Sequence, residues 1–297
     1  MKCSLNAFYR AIGVSKQSIH QMLERRMHSA EVEENVIRLA LEIRLDHPTM
    51  SCRAMYHKLR PLPIGRDKFE HICYTAGLIV ERKLNPIRTT DSSGVIRFPN
   101  LLDSIVLSGI DQAYCSDITY FEVNNKFYYL TFIMDCYSRV ILGYSVSSQL
   151  TTESTTLPAL KMALKNRGNK IPEGVILHSD GGGQYYDKDF LQLTAQHNMR
   201  NSMCEMAYQN GKAERINGVI KNNYLKFYSI RTFQQLQESV DRAVRLYNRE
   251  KPHKKLNYAT PFNFERQLVI LNLANQPKMT ESLEAKTDFW AVEAQKI

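Results

Sequence analysis

Three acidic residues, Asp117, Asp180 and Glu214, each lie in a local sequence that predicts a definite element. Asp117 falls within an aromatic and β-branched run, residues 114–121, which predicts a strand. Asp180 ends an apolar segment and precedes three glycines, so we expect it where a buried strand meets a loop. Glu214 opens a segment with helical spacing of apolar residues. Three converging carboxylates would supply the oxygen ligands that two Mg²⁺ ions need, and therefore predict a phosphoryl-transfer site.

The elements around these residues predict an α/β domain. Three strands are predicted in succession, and Asn124 and Asn125 form the turn between the first two. The predicted elements, in order, are strands 113–121, 126–135 and 140–146, a helix 152–166 capped by Thr152, a buried strand 175–179, a helix 188–197 and an edge strand 200–204. Antiparallel strands followed by alternating helix and strand are typical of an RNase H-like core, a mixed five-stranded sheet with helices.

An all-α region precedes this core. Residues 5–23 predict a helix, a tight turn at Gly13 and a second helix capped by Ser15, with Ile19 and Met22 facing the first helix. This pattern predicts a helix-turn-helix, whose second helix can enter a DNA major groove, although a plain helical hairpin would give the same pattern. The candidate DNA contacts on that second helix are Lys16, Gln17 and His20.

Further helices and a linker complete the predicted organisation. Helices are expected over residues 32–46, 51–59 and 67–76, and the segment after them contains Pro, Ser and Gly with little apolar periodicity. The predicted divisions are a helical helix-turn-helix DNA-binding region over 1–82, a linker over 83–101, an RNase H-like catalytic core with C-terminal basic helices over 102–268, and a tail over 269–297.

Charge is distributed unevenly along the 297 residues, whose net charge is +9. Residues 1–100 carry 16 Lys and Arg against 10 Asp and Glu, a net charge of +6. Residues 101–190 carry 7 against 10, a net charge of −3, and residues 191–268 carry 13 against 6, a net charge of +7. An acidic centre between two basic regions suits an enzyme that binds a polyanion and cuts it with metal.

Composition also excludes several classes of protein. No apolar run approaches the ~20 residues that a membrane span requires. The first six residues lack the apolar core of a signal peptide, so we expect a cytoplasmic protein with no membrane partner. The 6 cysteines show no Cys-x-x-Cys pair and are expected to be reduced, mostly buried thiols; a zinc site near Cys52 and Cys73 would fit no standard spacing.

Five motifs in a fixed order resemble the retroviral-integrase-like core of bacterial insertion-sequence transposases, most closely the OrfB product of the insertion sequence 3 family. Asp117 lies in a strand, Asp180 in His-Ser-Asp-Gly-Gly-Gly-Gln-Tyr, and Glu214 in Asn-Gly-Lys-Ala-Glu-Arg-Ile-Asn-Gly. The other two motifs lie at residues 135–144 and 247–261. The likeness covers about residues 30–265. The sequence departs from the family pattern in a slightly short step from the second carboxylate to the third, and in the two residues before the first.

The resemblance implies a DDE-type transposase. Asp117, Asp180 and Glu214 would then hold two Mg²⁺ ions, for which Mn²⁺ could substitute, and catalyse DNA strand cleavage and strand transfer. The implied partners are double-stranded DNA, both element ends and target, and further copies of the chain on that DNA. Because no sustained heptads supply a zipper, an upstream-frame partner (OrfA), or a fusion to it, is also implied. Glu205 is a rival third carboxylate that lacks the helical frame of Glu214.

Supporting residues surround the predicted site. Asn217, Gly218 and Lys221 share one helix face with Glu214, and Lys221 is the foremost candidate for binding phosphate. The candidate DNA contacts on this helix are Lys221, Asn217, Lys212 and Arg215.

Two nearby residues and one segment have structural alternatives. His178 is expected to form a packing or hydrogen-bonding contact rather than bind metal. Asp135 is expected to pair with Arg139, or less readily to act as a fourth ligand. The basic segment 247–253 would clamp DNA or simply dock on the core.

Two other functions fit parts of the pattern. A ribonuclease of the same fold would account for the carboxylates but leaves the N-terminal helix-turn-helix and the C-terminal basic helix without a role. A non-catalytic DNA-binding protein, a regulator or a decayed element, would account for the basic regions, although a decayed gene would be expected to lose at least one of the three carboxylates.

Overall fold

The computed structural model describes most of the predicted helical region and catalytic core. The described residues are 9–60, 62–80, 98–103, 105–204, 210–270 and 279–280. Most of the predicted linker, most of the tail and Glu205 therefore lie outside them. The chain divides into two compact units. The first comprises Met1–Asp46 and Met50–Glu81, and the second comprises His47–Thr49 and Arg82–Ile297.

The first unit is helical. Its helices are α1 (Lys16–Asp46), α2 (Cys52–Leu59) and α3 (Arg66–Thr75). They enclose a small apolar core that includes Met55 and Phe69, both fully buried. Ser51 caps α2 as its hydroxyl accepts a hydrogen bond from the Ala54 N–H at 3.3 Å, and Gly77 follows α3 with a left-handed φ of 69°. The predicted second and third helices of this region are confirmed to within one residue.

The N-terminal helices differ from the prediction. Gly13 does form the turn, with φ of 66°, and the Ser15 hydroxyl accepts a hydrogen bond from the Ser18 N–H at 3.0 Å. However, α1 continues unbroken for 31 residues, because residues 24–31 contain no glycine or proline that would end it. Part of the first predicted helix lies outside the described residues, so the expected packing of Ile19 and Met22 against it stays a prediction. Despite the length of α1, no helix in the described part of the chain is long and apolar enough to cross a membrane.

The second unit contains the predicted mixed sheet. Its strands are β1 (Val106–Leu107), β2 (Ala113–Val123), β3 (Lys126–Asp135), β4 (Ile141–Ser147), β5 (Ile176–Ser179), β6 (Arg200–Met203) and β7 (Met279–Thr280). Five of them form one sheet in the order β4-β3-β2-β5-β6, while β1 pairs with β7. Strands β2, β3 and β4 are antiparallel neighbours, whereas β5 runs parallel to both β2 and β6. This order confirms the RNase H-like architecture.

Helices pack on both faces of the sheet, with one apolar cluster on each face. The helices are α4 (Thr156–Asn166), α5 (Lys188–Gln196), α6 (Gly211–Asn223), α7 (Phe233–Arg249) and α8 (Pro261–Ile270), with 3₁₀ turns at Gly183–Tyr185, Leu225–Phe227 and Lys254–Leu256. Helices α6, α7 and α8 pack with one cluster and α4 and α5 with the other. Gly143 on β4 allows α4 to approach closely, because a Cβ there would meet the backbone of that helix.

Local turn chemistry accounts for two details. Asn124 and Asn125 adopt φ of 50° and 60°, as a two-residue hairpin turn requires, so that prediction is confirmed. Helix α4 begins at Thr156 rather than at residue 152, and Thr152 does not cap it. The Thr152 hydroxyl donates instead to Gln184 O at 3.4 Å, because residues 151–155 form turns of their own before the helix starts.

Candidate active site

Asp117 lies on β2, and Asp180 directly follows β5, the parallel strand beside it. The register of β2 against β5 pairs Ala113 with Ile176 and Cys115 with His178. Continued for two residues, the same register sets Asp117 opposite Asp180, on strands separated by ~4.8 Å. β5 ends one residue before Asp180 while β2 continues, so the two carboxylates flank the point where the sheet opens.

The glycine-rich loop fixes Asp180. Gly181 has a φ of 82°, and a Cβ at this position would collide with the Met203 side chain. The next residue, Gly182, donates its N–H to Asp180 Oδ1 at 3.1 Å. The loop therefore needs glycine for both its conformation and its packing.

Glu214 reaches this region on the first turn of α6. That helix buries Ala213, Ile216, Asn217 and Ile220, and packs against β2. Asn217 Nδ2 donates to Asp117 Oδ2 at 2.7 Å, which ties the helix directly to the first carboxylate. Glu214 lies one turn earlier on α6 and is exposed.

The charges of Asp180 and Glu214 act on Asp117. Burial first, and then the negative charges of Asp180 and Glu214, raise the pKa of Asp117 to about 8. Desolvation also raises the pKa of Asp180, although its side chain is partly open to water. The pKa of the buried Cys204 thiol rises to about 11, first through burial and then through all three carboxylates. The fold therefore gathers like charges that repel each other.

The chemistry of this donor set fits a hard divalent cation. Oxygen ligands that are destabilised by mutual repulsion gain most from a bound cation. Within the described ranges, however, no three His, Cys, Asp or Glu side chains lie close enough together to hold one metal ion. The same observation gives no support to a zinc site at Cys52 and Cys73.

Lys221 lies at the free edge of β2, beyond the end of β5. Its ammonium donates to Thr119 Oγ1 at 2.6 Å and to Tyr120 O at 3.3 Å, and it lies 5.3 Å from the centre of the Tyr120 ring. Desolvation lowers the pKa of Lys221, while the charge of Asp117 opposes that shift. A cation is thus held beside Asp117.

The other predicted DNA contacts lie in different places. Lys212, on the first turn of α6, donates to Cys136 O at 3.1 Å, and Arg215 is exposed on the same helix. The remaining three, all exposed on α1 in the first unit, are Lys16, Gln17 and His20. Only Asn217 and Lys221 join the carboxylate region directly.

Asp135 does not pair with the Arg139 side chain, so that expectation was wrong. The fully buried carboxylate of Asp135 accepts hydrogen bonds from the N–H groups of Asp111, Tyr137 and Ser138 at 2.7–2.9 Å. The tight turn after β3 supplies the Tyr137 and Ser138 donors, whereas the Asp111 donor comes from the segment before β2. Burial raises the pKa of Asp135 to about 6. His178 is a hydrogen-bonding residue, as predicted, with Nδ1 2.9 Å from Ser202 Oγ.

Sequence reasoning missed a polar shell behind the carboxylates. The Ser116 hydroxyl and the buried Tyr185 hydroxyl are 2.8 Å apart, and Asn210 Nδ2 donates to Ser116 O at 3.0 Å. Asn210 and Tyr185 both belong to the motifs around Glu214 and Asp180, which was the available signal. Their contact with Ser116 depends on long-range packing, which no local pattern encodes.

The chain resembles known proteins that contain an integrase core domain or belong to insertion elements. The integrase core domain matches residues 109–208, and a second integrase core domain description matches residues 198–261. The chain is 27% identical over 269 residues to an uncharacterized 31 kDa protein of insertion element IS600 from Shigella sonnei, covering 87% of this chain and 97% of that protein.

Two transposases from Escherichia coli K12 are also similar to the chain. Transposase InsF for insertion sequence IS3fB is 30% identical over 190 residues, covering 63% of this chain and 65% of its own. Transposase InsF for insertion sequence IS3A is 37% identical over 123 residues, covering 41% of each chain. The matches therefore span less than two thirds of these InsF transposases.

Among solved structures, the HTLV-2 integrase catalytic core domain in complex with magnesium is similar at 19% identity with a TM-score of 0.43, covering 52% of this chain and 96% of that one. A simian T-cell lymphotropic virus intasome is similar at 17% identity with a TM-score of 0.47, covering 75% of this chain and 74% of that one. The two integrase core matches together span residues 109–261, so the chain carries an integrase core domain and is similar to proteins of insertion elements.

Proposed function

We propose that this chain is a DDE-type transposase that cuts DNA at the ends of an insertion sequence and joins the freed strand to target DNA. Asp117, Asp180 and Glu214 would hold two Mg²⁺ ions. The observation that carries the proposal is geometric: the β2–β5 register sets Asp117 opposite Asp180, and Asn217 on the Glu214 helix donates to Asp117 at 2.7 Å. A site that repels its own charges is prepared for a cation.

The reaction is an in-line displacement at phosphorus. An oxygen of water, and then the freed 3′-hydroxyl, forms a new P–O bond as an existing P–O bond breaks. Strand transfer exchanges one phosphodiester for another, so it needs no external energy. When bound, the metal ions would supply Lewis acidity and lower the pKa of the attacking oxygen.

The side chains of this protein contribute positioning and charge. Asn217 donates to Asp117 and so holds one carboxylate oxygen in place. The Gly181–Gly183 loop permits close approach of a backbone, and Lys221 would exchange its bond to Thr119 for a phosphate oxygen.

The partners follow from charge. The acidic segment 101–190 lies between segments of net charge +6 and +7, which suits double-stranded DNA, both element ends and target. Cutting two ends of one element and joining them to one target requires at least two active sites, so we include a homo-oligomer on DNA. An upstream-frame partner (OrfA), or a fusion to it, would supply the zipper that the sequence lacks.

The test uses labelled duplex DNA from the flanks of the gene, purified protein, and Mg²⁺ or Mn²⁺. Wild type should nick the element end and give joined products, and Asp180→Asn should abolish both while retaining DNA binding. Asp189→Asn is the matched control, since Asp189 is an exposed acid on the first turn of α5.

Three results would contradict the proposal. Normal cleavage by Asp180→Asn would refute the metal-site assignment. Cleavage of only an RNA–DNA hybrid would indicate a ribonuclease. Binding without nicking, even when the upstream frame is fused, would indicate a regulatory protein.

A further inference from the structure

A second polar region lies where three segments of the catalytic unit meet, away from the carboxylates. The first turn of α6 touches the turn between β3 and β4 through the bond from Lys212 to Cys136 O. The end of α7 is anchored beside the same turn, because the Asn248 side chain bonds both the N–H and the carbonyl of Ile141 at 2.9 Å. Basic residues from all three segments are therefore brought together.

The cations in this region repel one another. Burial lowers the pKa of Lys251, and the charge of Arg215 lowers it further. Burial also lowers the pKa of His253 to about 3, with added effects from Lys251, Arg139 and Arg215. Among the described residues, no carboxylate acts against either shift. His253 is therefore neutral at physiological pH, and within the described ranges no ion pair joins Arg139, Arg215 or Lys251 to a carboxylate.

Two nitrogen atoms in the same region, Arg139 Nε and His253 Nε2, are buried and have no hydrogen-bond partner within the described parts of the chain. The Asp135 carboxylate, four residues before Arg139, is already occupied by three backbone N–H groups. A buried polar nitrogen without a partner and a partly buried cation without a carboxylate both lower folding stability, and a bound anion would stabilise both.

We propose that Arg139, Arg215 and Lys251 form a binding site for a phosphate group of the DNA backbone, distinct from the phosphate that reacts. This inference rests on the proposed function for the identity of the polyanion. Arg215 directly follows Glu214, whereas Lys221 lies seven residues beyond it, so α6 presents cations on two different faces beside one carboxylate. A strand whose reacting phosphate lies near Glu214 would have a neighbouring phosphate at this cluster, which would fix the direction in which the strand crosses the site.

The experiment measures binding to the flanking duplex in EDTA, where cleavage does not occur. Lys251→Gln and Arg215→Gln each remove one cation, and Arg245→Gln, exposed on α7, is the matched control. Each cluster variant should lower the slope of log Kd against log salt by ~0.9, the value for one phosphate contact, and the control should keep the wild-type slope. Because Arg215 is exposed, Arg215→Gln remains informative even if Lys251→Gln fails to fold.

A methylphosphonate scan then identifies the phosphate. In wild type, one neutral linkage near the element end should weaken binding several-fold, and the same linkage should have no effect in Arg215→Gln. Wild-type slopes in both cluster variants, or equal losses in the Arg245→Gln control, would overturn the proposal. Because binding is measured without metal, a failure of cleavage in wild type would count against the catalytic proposal alone.

Discussion

Asp117→Asn tests the carboxylate cluster through folding stability, independently of DNA. The pKa of Asp117 rises from 3.8 to about 8 on folding, so the folded carboxyl holds its proton more tightly than the unfolded one. The stability this proton provides is complete below pH ~4 and is lost as pH rises to ~8. Four pKa units correspond to at most ~6 kcal/mol, and we halve this to ~3 kcal/mol because Asp117 is partly exposed. At pH 6 the cost is about half of that at pH 8.5.

Thermal unfolding of wild type, Asp117→Asn and the control Asp189→Asn in EDTA, from pH 5 to pH 9, provides the assay. Asp117→Asn should melt about 6–12 °C above wild type at pH 8.5, and the difference should halve at pH 6, given ~2–4 °C per kcal/mol. Added Mg²⁺ or Mn²⁺ should stabilise wild type and narrow the difference. A difference that does not change with pH, or an Asp117→Asn variant that is less stable throughout, would refute the raised pKa of the buried Asp117 carboxyl beside Asp180 and Glu214.

Three further predictions concern the scaffold. Gly143→Ala should destabilise the fold by about 3 kcal/mol in denaturant titration, because the new methyl group meets the backbone of α4, which cannot move aside. Glu265→Gln should cost about 2 kcal/mol by the same method, since it removes one of the two carboxylates that pair with the 15% exposed guanidinium of Arg167 and leaves only Asp111. The thiol of Cys73 lowers the pKa of Cys52 to about 7, so alkylation of Cys52 by iodoacetamide should rise through pH 7, as peptide mapping would show; a rise only above pH 8.5 would contradict this.

Local pattern predicted the elements of the catalytic unit well because each has its own signal. β3 was predicted at its observed bounds, residues 126–135, since the Asn-Asn turn defines its start and aromatic and β-branched residues occupy most of its length. Asp180 follows a buried strand because three glycines cannot extend it. The parallel pairing that sets Asp117 opposite Asp180 follows from the fold class, which the motif order indicated.

Contacts between segments that lie far apart in the sequence could not be predicted from local patterns. Asp135 was expected to pair with the nearest arginine, but backbone N–H groups, one from Asp111, satisfy it first. Lys221 was placed on the correct helix face, yet its bond to Thr119 depends on how far β2 extends beyond β5. The length of α1 was underestimated because two separate periodic segments are joined by residues that simply do not end a helix.

The distribution of charge around α6 gives the main argument that this unit binds ligands. Burial and then its negative neighbours raise the pKa of Asp117 to about 8, while burial and then the charge of Arg215 lower the pKa of Lys251. A scaffold selected for stability alone would bring such groups together as ion pairs and remove both shifts. Instead, the Lys212 ammonium bonds a carbonyl and the Lys221 ammonium bonds a hydroxyl, and neither neutralises a carboxylate through those bonds. Charges kept apart at this cost suit ligands of opposite sign, a cation at the carboxylates and phosphates at the basic residues.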